Sequence, residues 1–110
     1  MNCGCWGNVT PTPCGEMLLR RMGADSTPLY GWVFTVLDQS GRSIASAMSS
    51  QQGLARFRDL RPGAYRMVET VAPAGHAAVP PMELSIADNG AALIDGQPVH
   101  GMHDVRGMMR

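Results

Sequence analysis

Three cysteines, three histidines, one carboxylate set into an apolar strand and the absence of any lysine bound the chemistry open to this 110-residue chain. Cys3, Cys5 and Cys14 sit close together near the start, while His100 and His103 lie near the other end. Thiolate and imidazole are preferred zinc ligands. The spacing Cys-x-Cys, then eight residues, then a third Cys matches no finger pattern. The expectation is therefore no metal, and no cofactor of any kind. In an oxidising setting Cys14 could bond to Cys3 or Cys5, leaving an odd thiol suited to a link between chains. Three unpaired thiols on an irregular leader is the plainer alternative. Ser49, Ser50 and His76 lack the Gly-x-Ser-x-Gly elbow of a nucleophilic serine, and nearness in sequence does not make a triad. No enzymatic activity is expected. The carboxylate that stands out is Glu69, in "AYRMVET".

The elements that would position these groups are strands. The helical spacing i, i+3, i+4, i+7 is not sustained anywhere, whereas period-two alternation recurs. Strands are expected at 16–22, 31–38, 43–49, 54–60, 64–70, 82–88, 91–95 and 99–105. Trp32, Phe34 and Val36 would share a face, and so would Tyr65, Met67 and Glu69. Turn chemistry separates the strands at "DQSGR", "SQQG", "RPG" and "DNG", and 82–95 reads as a hairpin. The stretch "VAPAGHAAVPP" is a loop, because three prolines forbid a central strand. Residues 1–15 read as an irregular leader, 16–105 as one domain and 106–110 as a tail. Seven or eight short strands so spaced indicate an all-β, antiparallel β-sandwich. Phe57 and Tyr65 are expected to meet across the core from paired strands flanking Pro62-Gly63.

Composition narrows the function. Hydrophobic residues make up 45% of the chain, an ordinary globular share. Nine arginines balance nine acidic residues, so there is no basic excess to seek nucleic acid or an anionic membrane. No stretch approaches the roughly 20 apolar residues of a membrane span. "MNCGCWGNVTPTPCG" has neither the basic start nor the apolar run of a signal peptide. The nine methionines read mainly as core filling, and Trp6 as an aromatic that docks onto the domain or a partner.

The ordered set Leu29, Gly31, Phe34, Leu37, Asp38, Gly53, Phe57, Leu60, Pro62, Gly63, Tyr65, Glu69, Ala72, Pro73 and Gly75 resembles the collagen-adhesin B-type (Cna-B, SpaA-like) module of Gram-positive adhesins and pilins. His76 stands where that family carries an aromatic. The resemblance implies a prealbumin-like sandwich. It also implies that Glu69 occupies the position of a buried Glu that promotes an amide bond between a first-strand Lys and a last-strand Asn or Asp. Arg20 or Arg21 stands where the Lys would be, and Asp104 is the candidate on the last strand. A guanidinium stays charged and is no amine nucleophile, so the cross-link is not expected. A buried Glu69 then needs another partner. Arg20 or Arg21 would supply it as an ion pair, with or without Asp104. The alternative leaves Glu69 at a wet edge, paired with nothing.

By resemblance the chain is a non-enzymatic structural or binding module of a surface adhesin or pilin-like assembly, placed at the cell surface. A virion component packed on a larger scaffold is the second reading, and a carbohydrate- or small-ligand-binding sandwich the third. Protein partners are expected, including further copies of itself through an odd thiol. Nucleic acid and membrane insertion are not.

Overall fold

The computed structural model describes residues 15–107. Cys3, Cys5, Cys14, Trp6, Met108 and Met109 lie outside the described residues. The described residues form an all-β sandwich of nine strands: β1 (Gly15–Gly23), β2 (Val33–Leu37), β3 (Ser43–Met48), β4 (Leu54–Leu60), β5 (Gly63–Val71), β6 (Met82–Ile86), β7 (Ala92–Ile94), β8 (Gln97–Pro98) and β9 (Met102–Gly107). One layer is three-stranded, in the order β4-β1-β9, and the other six-stranded, in the order β3-β2-β5-β6-β7-β8. Every pair is antiparallel except β1 and β9, which run parallel over the register Leu18↔Met102 to Gly23↔Gly107. β9 continues through Arg106 and Gly107, two residues past the point where alternation alone ends the domain.

Period-two alternation decides which side chains meet. Met17, Leu19 and Arg21 point inward from β1. Trp32 and the β2 residues Phe34 and Val36 face them from the other layer, all three fully buried. Trp32 and Phe34 meet edge to face, with centroids 5.5 Å apart at 80°, a favoured aromatic geometry. The indole Nε1–H donates to the Leu29 carbonyl at 2.6 Å, so its polar atom is satisfied inside the core.

One sequence expectation fails at Pro62. β4 and β5 do not pair; the link between them carries the chain from one layer to the other. Phe57 and Tyr65 therefore sit on opposite layers. Phe57 is buried in the core, while Tyr65 packs at its margin and its hydroxyl donates to the Arg61 carbonyl at 2.6 Å.

The turn between β3 and β4 requires glycine at Gly53, where φ is +78° and a Cβ would lie 2.8 Å from the Leu29 carbonyl oxygen. Its own carbonyl accepts from the Arg21 N–H at 3.2 Å. Gly53→Ala combines left-handed strain with a backbone clash and is expected to cost about 2 kcal/mol or more. A chemical denaturation midpoint measures it, and an unchanged midpoint would show that the turn tolerates a side chain.

Candidate functional site

The inner face of the sandwich carries one charged pair among its apolar side chains. Arg21 is 0% exposed and Glu69 5%. Glu69 is brought inward by the alternation of β5, in step with Met67, and lies opposite Phe34 of β2. Arg21 is brought inward by β1, in step with Met17 and Leu19. Arg21 Nε donates to Glu69 Oε2 at 2.9 Å, and Nη2 reaches Oε1 at 3.4 Å.

The remaining hydrogen-bonding capacity of the pair goes to backbone groups of β1 and of the loop 72–81. Arg21 Nη1 donates to the Met22 carbonyl and Nη2 to the Ala77 carbonyl, each at 2.9 Å. The Val79 N–H donates to Glu69 Oε1 at 2.8 Å. The proline-interrupted loop 72–81 cannot join a sheet, so two of its orphan backbone groups are answered by the ion pair. No buried side-chain nitrogen or oxygen among the described residues lacks a partner. Full satisfaction is the condition under which a desolvated ion pair is tolerated.

Gly107 completes the site. It lies on β9 against the guanidinium, where a Cβ would stand 2.5 Å from Arg21 Nη1, 2.6 Å from Nη2 and 2.8 Å from Cζ. The bare backbone of the last strand is what makes room for the arginine. Sequence reasoning places 107 in the tail and misses it. The signal was a period-two step beyond Val105, which is buried. A glycine shows no hydrophobicity by which to extend that pattern.

The other candidates fall elsewhere. Arg20, one residue out of phase with Arg21, points to the opposite face of β1 and pairs with Asp104. Nε–Oδ1 is 2.9 Å and Nη2–Oδ2 is 3.0 Å, and both side chains are partly exposed. Asp104 thus serves a surface pair and not the buried one. A solvated pair of this kind contributes little to stability.

His76 lies in the loop, with its N–H donating to the Pro73 carbonyl at 3.0 Å. Among the described residues no cluster of three or more His, Cys, Asp or Glu is placed to hold a metal. Among the same residues no helix is long and apolar enough to cross a membrane. Cys3, Cys5 and Cys14 cannot be placed relative to the site, because they precede the described residues.

His103, half-buried on β9, is held below the ordinary imidazole pKa by burial, against smaller opposing effects of Asp104 and Asp95. The folded state then binds fewer protons at this site than the unfolded chain. Stability contributed by the neutral ring is full above the ordinary value and declines as pH falls through about 6.5. Denaturation midpoints measured between about pH 5 and 8 should show this decline, and His103→Gln should flatten it. An identical slope in the variant would assign the decline to other groups.

A family model described as SpaA, prealbumin-like fold domain, matches residues 15–97. No curated protein matches the sequence. Among solved structures, the pilus adhesin RrgA from Streptococcus pneumoniae is similar at 23% identity and TM-score 0.69, over 79% of this chain and 11% of that one. A variant of BcpA, the major pilin subunit of Bacillus cereus, is similar at 23% identity and TM-score 0.62, over 84% and 28%. A C-terminal fragment of the pilus adhesin SpaC from Lactobacillus rhamnosus GG is similar at 21% identity and TM-score 0.65, over 90% and 45%. The chain therefore spans less than half the length of each of these structures.

Proposed function

The chain belongs to the SpaA family of prealbumin-like fold domains, and from that premise we propose that it is a non-enzymatic structural module of a bacterial surface assembly, of the pilus or adhesin kind. The observation that carries the reading is the buried site itself. Its residues are spent on cohesion. Arg21 and Glu69 bond to each other and to Met22, Ala77 and Val79, leaving no free polar atom for a substrate. Where the family resemblance implies a covalent amide between first and last strands, this chain sets a hydrogen-bonded ion pair on β1 and β5. Gly107 of β9 is packed against it.

The partners of such a module are other proteins of the assembly, and its place is the cell surface. An antibody against the folded domain should label unpermeabilised cells of the source bacterium, and the antigen should co-purify with high-mass surface material. Labelling that appears only after permeabilisation would sink the assignment. Intact mass under denaturing, reducing conditions should equal that of the bare chain, because no lysine is present to form the amide.

A further inference from the structure

We propose that the pole of the sandwich carrying Tyr30, Met48 and Val71 is a docking surface for the leader, residues 1–14, of a second copy of this chain, giving head-to-tail association. These three are among the most exposed large apolar residues described, at 68%, 72% and 49%, and the fold gathers them. Val33 pairs in register with Met48 on one side and with Val71 on the other, so the three form one row across β3, β2 and β5. The row continues into a groove of about 330 Å³ lined by Pro28, Leu29, Tyr30, Gly31, Pro73 and Ala74. Ser49 ties the two parts together, its hydroxyl accepting from the Gly31 N–H at 2.7 Å.

The segments that build this pole, 26–37, 43–55 and 70–82, contain no Asp, Glu, Lys or Arg. An uncharged, partly aromatic surface of this size favours an uncharged, apolar occupant. The leader "MNCGCWGNVTPTPC" has no charged side chain and carries Trp6, Val9 and two prolines. Tryptophan is the residue type most enriched among interface anchors.

Reach makes the contact intermolecular. The leader joins the domain at Gly15, which pairs with Leu60 and lies against Ile86. Ile86 in turn pairs with Gly63, at the end of β5 opposite Val71. Climbing β5 from Gly63 to Val71 takes about 26 Å, and crossing from one layer to the other about 10 Å more. Trp6 is nine residues from Gly15 and extends at most about 30 Å from it. The straight-line separation from its own pole is about 28 Å, so the leader would have to be fully stretched with no length left to pass around the domain, whereas the pole of a molecule stacked beneath it lies within easy reach.

Sedimentation velocity on the full chain, with reductant present so that thiols contribute nothing, tests the proposal. The wild-type chain should self-associate with rising concentration. Trp6→Ala, and the double substitution Tyr30→Ser with Met48→Ser, should each weaken association about 30-fold or more. Tyr30 and Met48 lie outside the core, and an unchanged melting temperature checks that the described pole is intact. Mixing the two variants is the discriminating arm, since each retains one half of the contact. Head-to-tail docking predicts that the mixture forms a capped heterodimer. A wild-type chain that stays monomeric at all concentrations overturns the proposal. So does association that survives Trp6→Ala, or a mixture that fails to pair.

Discussion

Arg21→Met is expected to lower the stability of the chain by about 3–5 kcal/mol, a fall in Tm on the order of 10–20 °C for a domain this size. The substitution keeps the length and apolar stem of the side chain, so the loss is not mainly one of packing volume. It strands the Glu69 carboxylate, which is 5% exposed, with the Val79 N–H as its remaining partner. It also removes the donor to the Ala77 carbonyl, so amide exchange in the loop 72–81 should accelerate beyond the global effect. Glu69→Gln should cost a comparable amount by leaving the guanidinium uncompensated. The double change Arg21→Met with Glu69→Leu should recover most of the loss, because a desolvated pair replaced by packed apolar side chains is often neutral or better. Single variants that melt within about 1 °C of wild type would show that the pair is not what holds the first strand, the loop and β5 together.

Arg21→Lys combined with Gly107→Asn is expected to install the amide bond that the family resemblance implies and for which this sequence has no lysine. Lysine Nζ occupies the place of arginine Cζ, since both are the fourth atom beyond Cβ. The Cβ of residue 107 stands 2.8 Å from that point. In an amide the nitrogen lies about 2.4 Å from the carbon beyond the carbonyl, given its bond lengths, so little movement is needed. The lysine amine would attack the asparagine carboxamide carbon, a C–N bond would form and ammonia would leave. Glu69 lies within reach to take the proton from the amine and pass it to the departing nitrogen. The readout is an intact denatured mass lower by one ammonia than the sequence mass. A Tm well above that of Arg21→Met should accompany it, because a link between β1 and β9 closes most of the chain into a loop. Adding Glu69→Ala to the double variant should abolish the mass loss. Full sequence mass in the double variant would show that β1 and β9 are not aligned for the bond.

The inner faces of β2 and β5 were legible from sequence because alternation there is clean. Trp32, Phe34 and Val36 are buried as a set, and so are Met67 and Glu69. "EMLLRRM" was less clear, since apolar Leu18 breaks the phase, and local sequence left Arg20 and Arg21 as equal candidates. Only the packing of β1 on β2 and β5 separates them. The layer change at Pro62 read as a hairpin turn because a short link with Pro and Gly looks alike in both cases. The period-two step from buried Val105 leads to Gly107, but a glycine carries no hydrophobicity to mark it. Its role is to be empty where a guanidinium 86 positions earlier in the chain needs room, a property of two distant residues together. The parallel partnership of β1 and β9 is equally non-local, and no short-range pattern encodes it.

That parallel pair determines how the module answers tension. β1 enters at Gly15 and β9 leaves beside Gly23, at the opposite pole. A pull applied to the two ends of the domain therefore drives the adjoining strands past one another along their length. Their hydrogen bonds, spread over six register positions, are strained together in shear. In an antiparallel terminal hairpin the same pull would peel the bonds apart one at a time. A domain wired in this way resists stretching with its whole first and last strands at once, whatever its resistance to heat or denaturant.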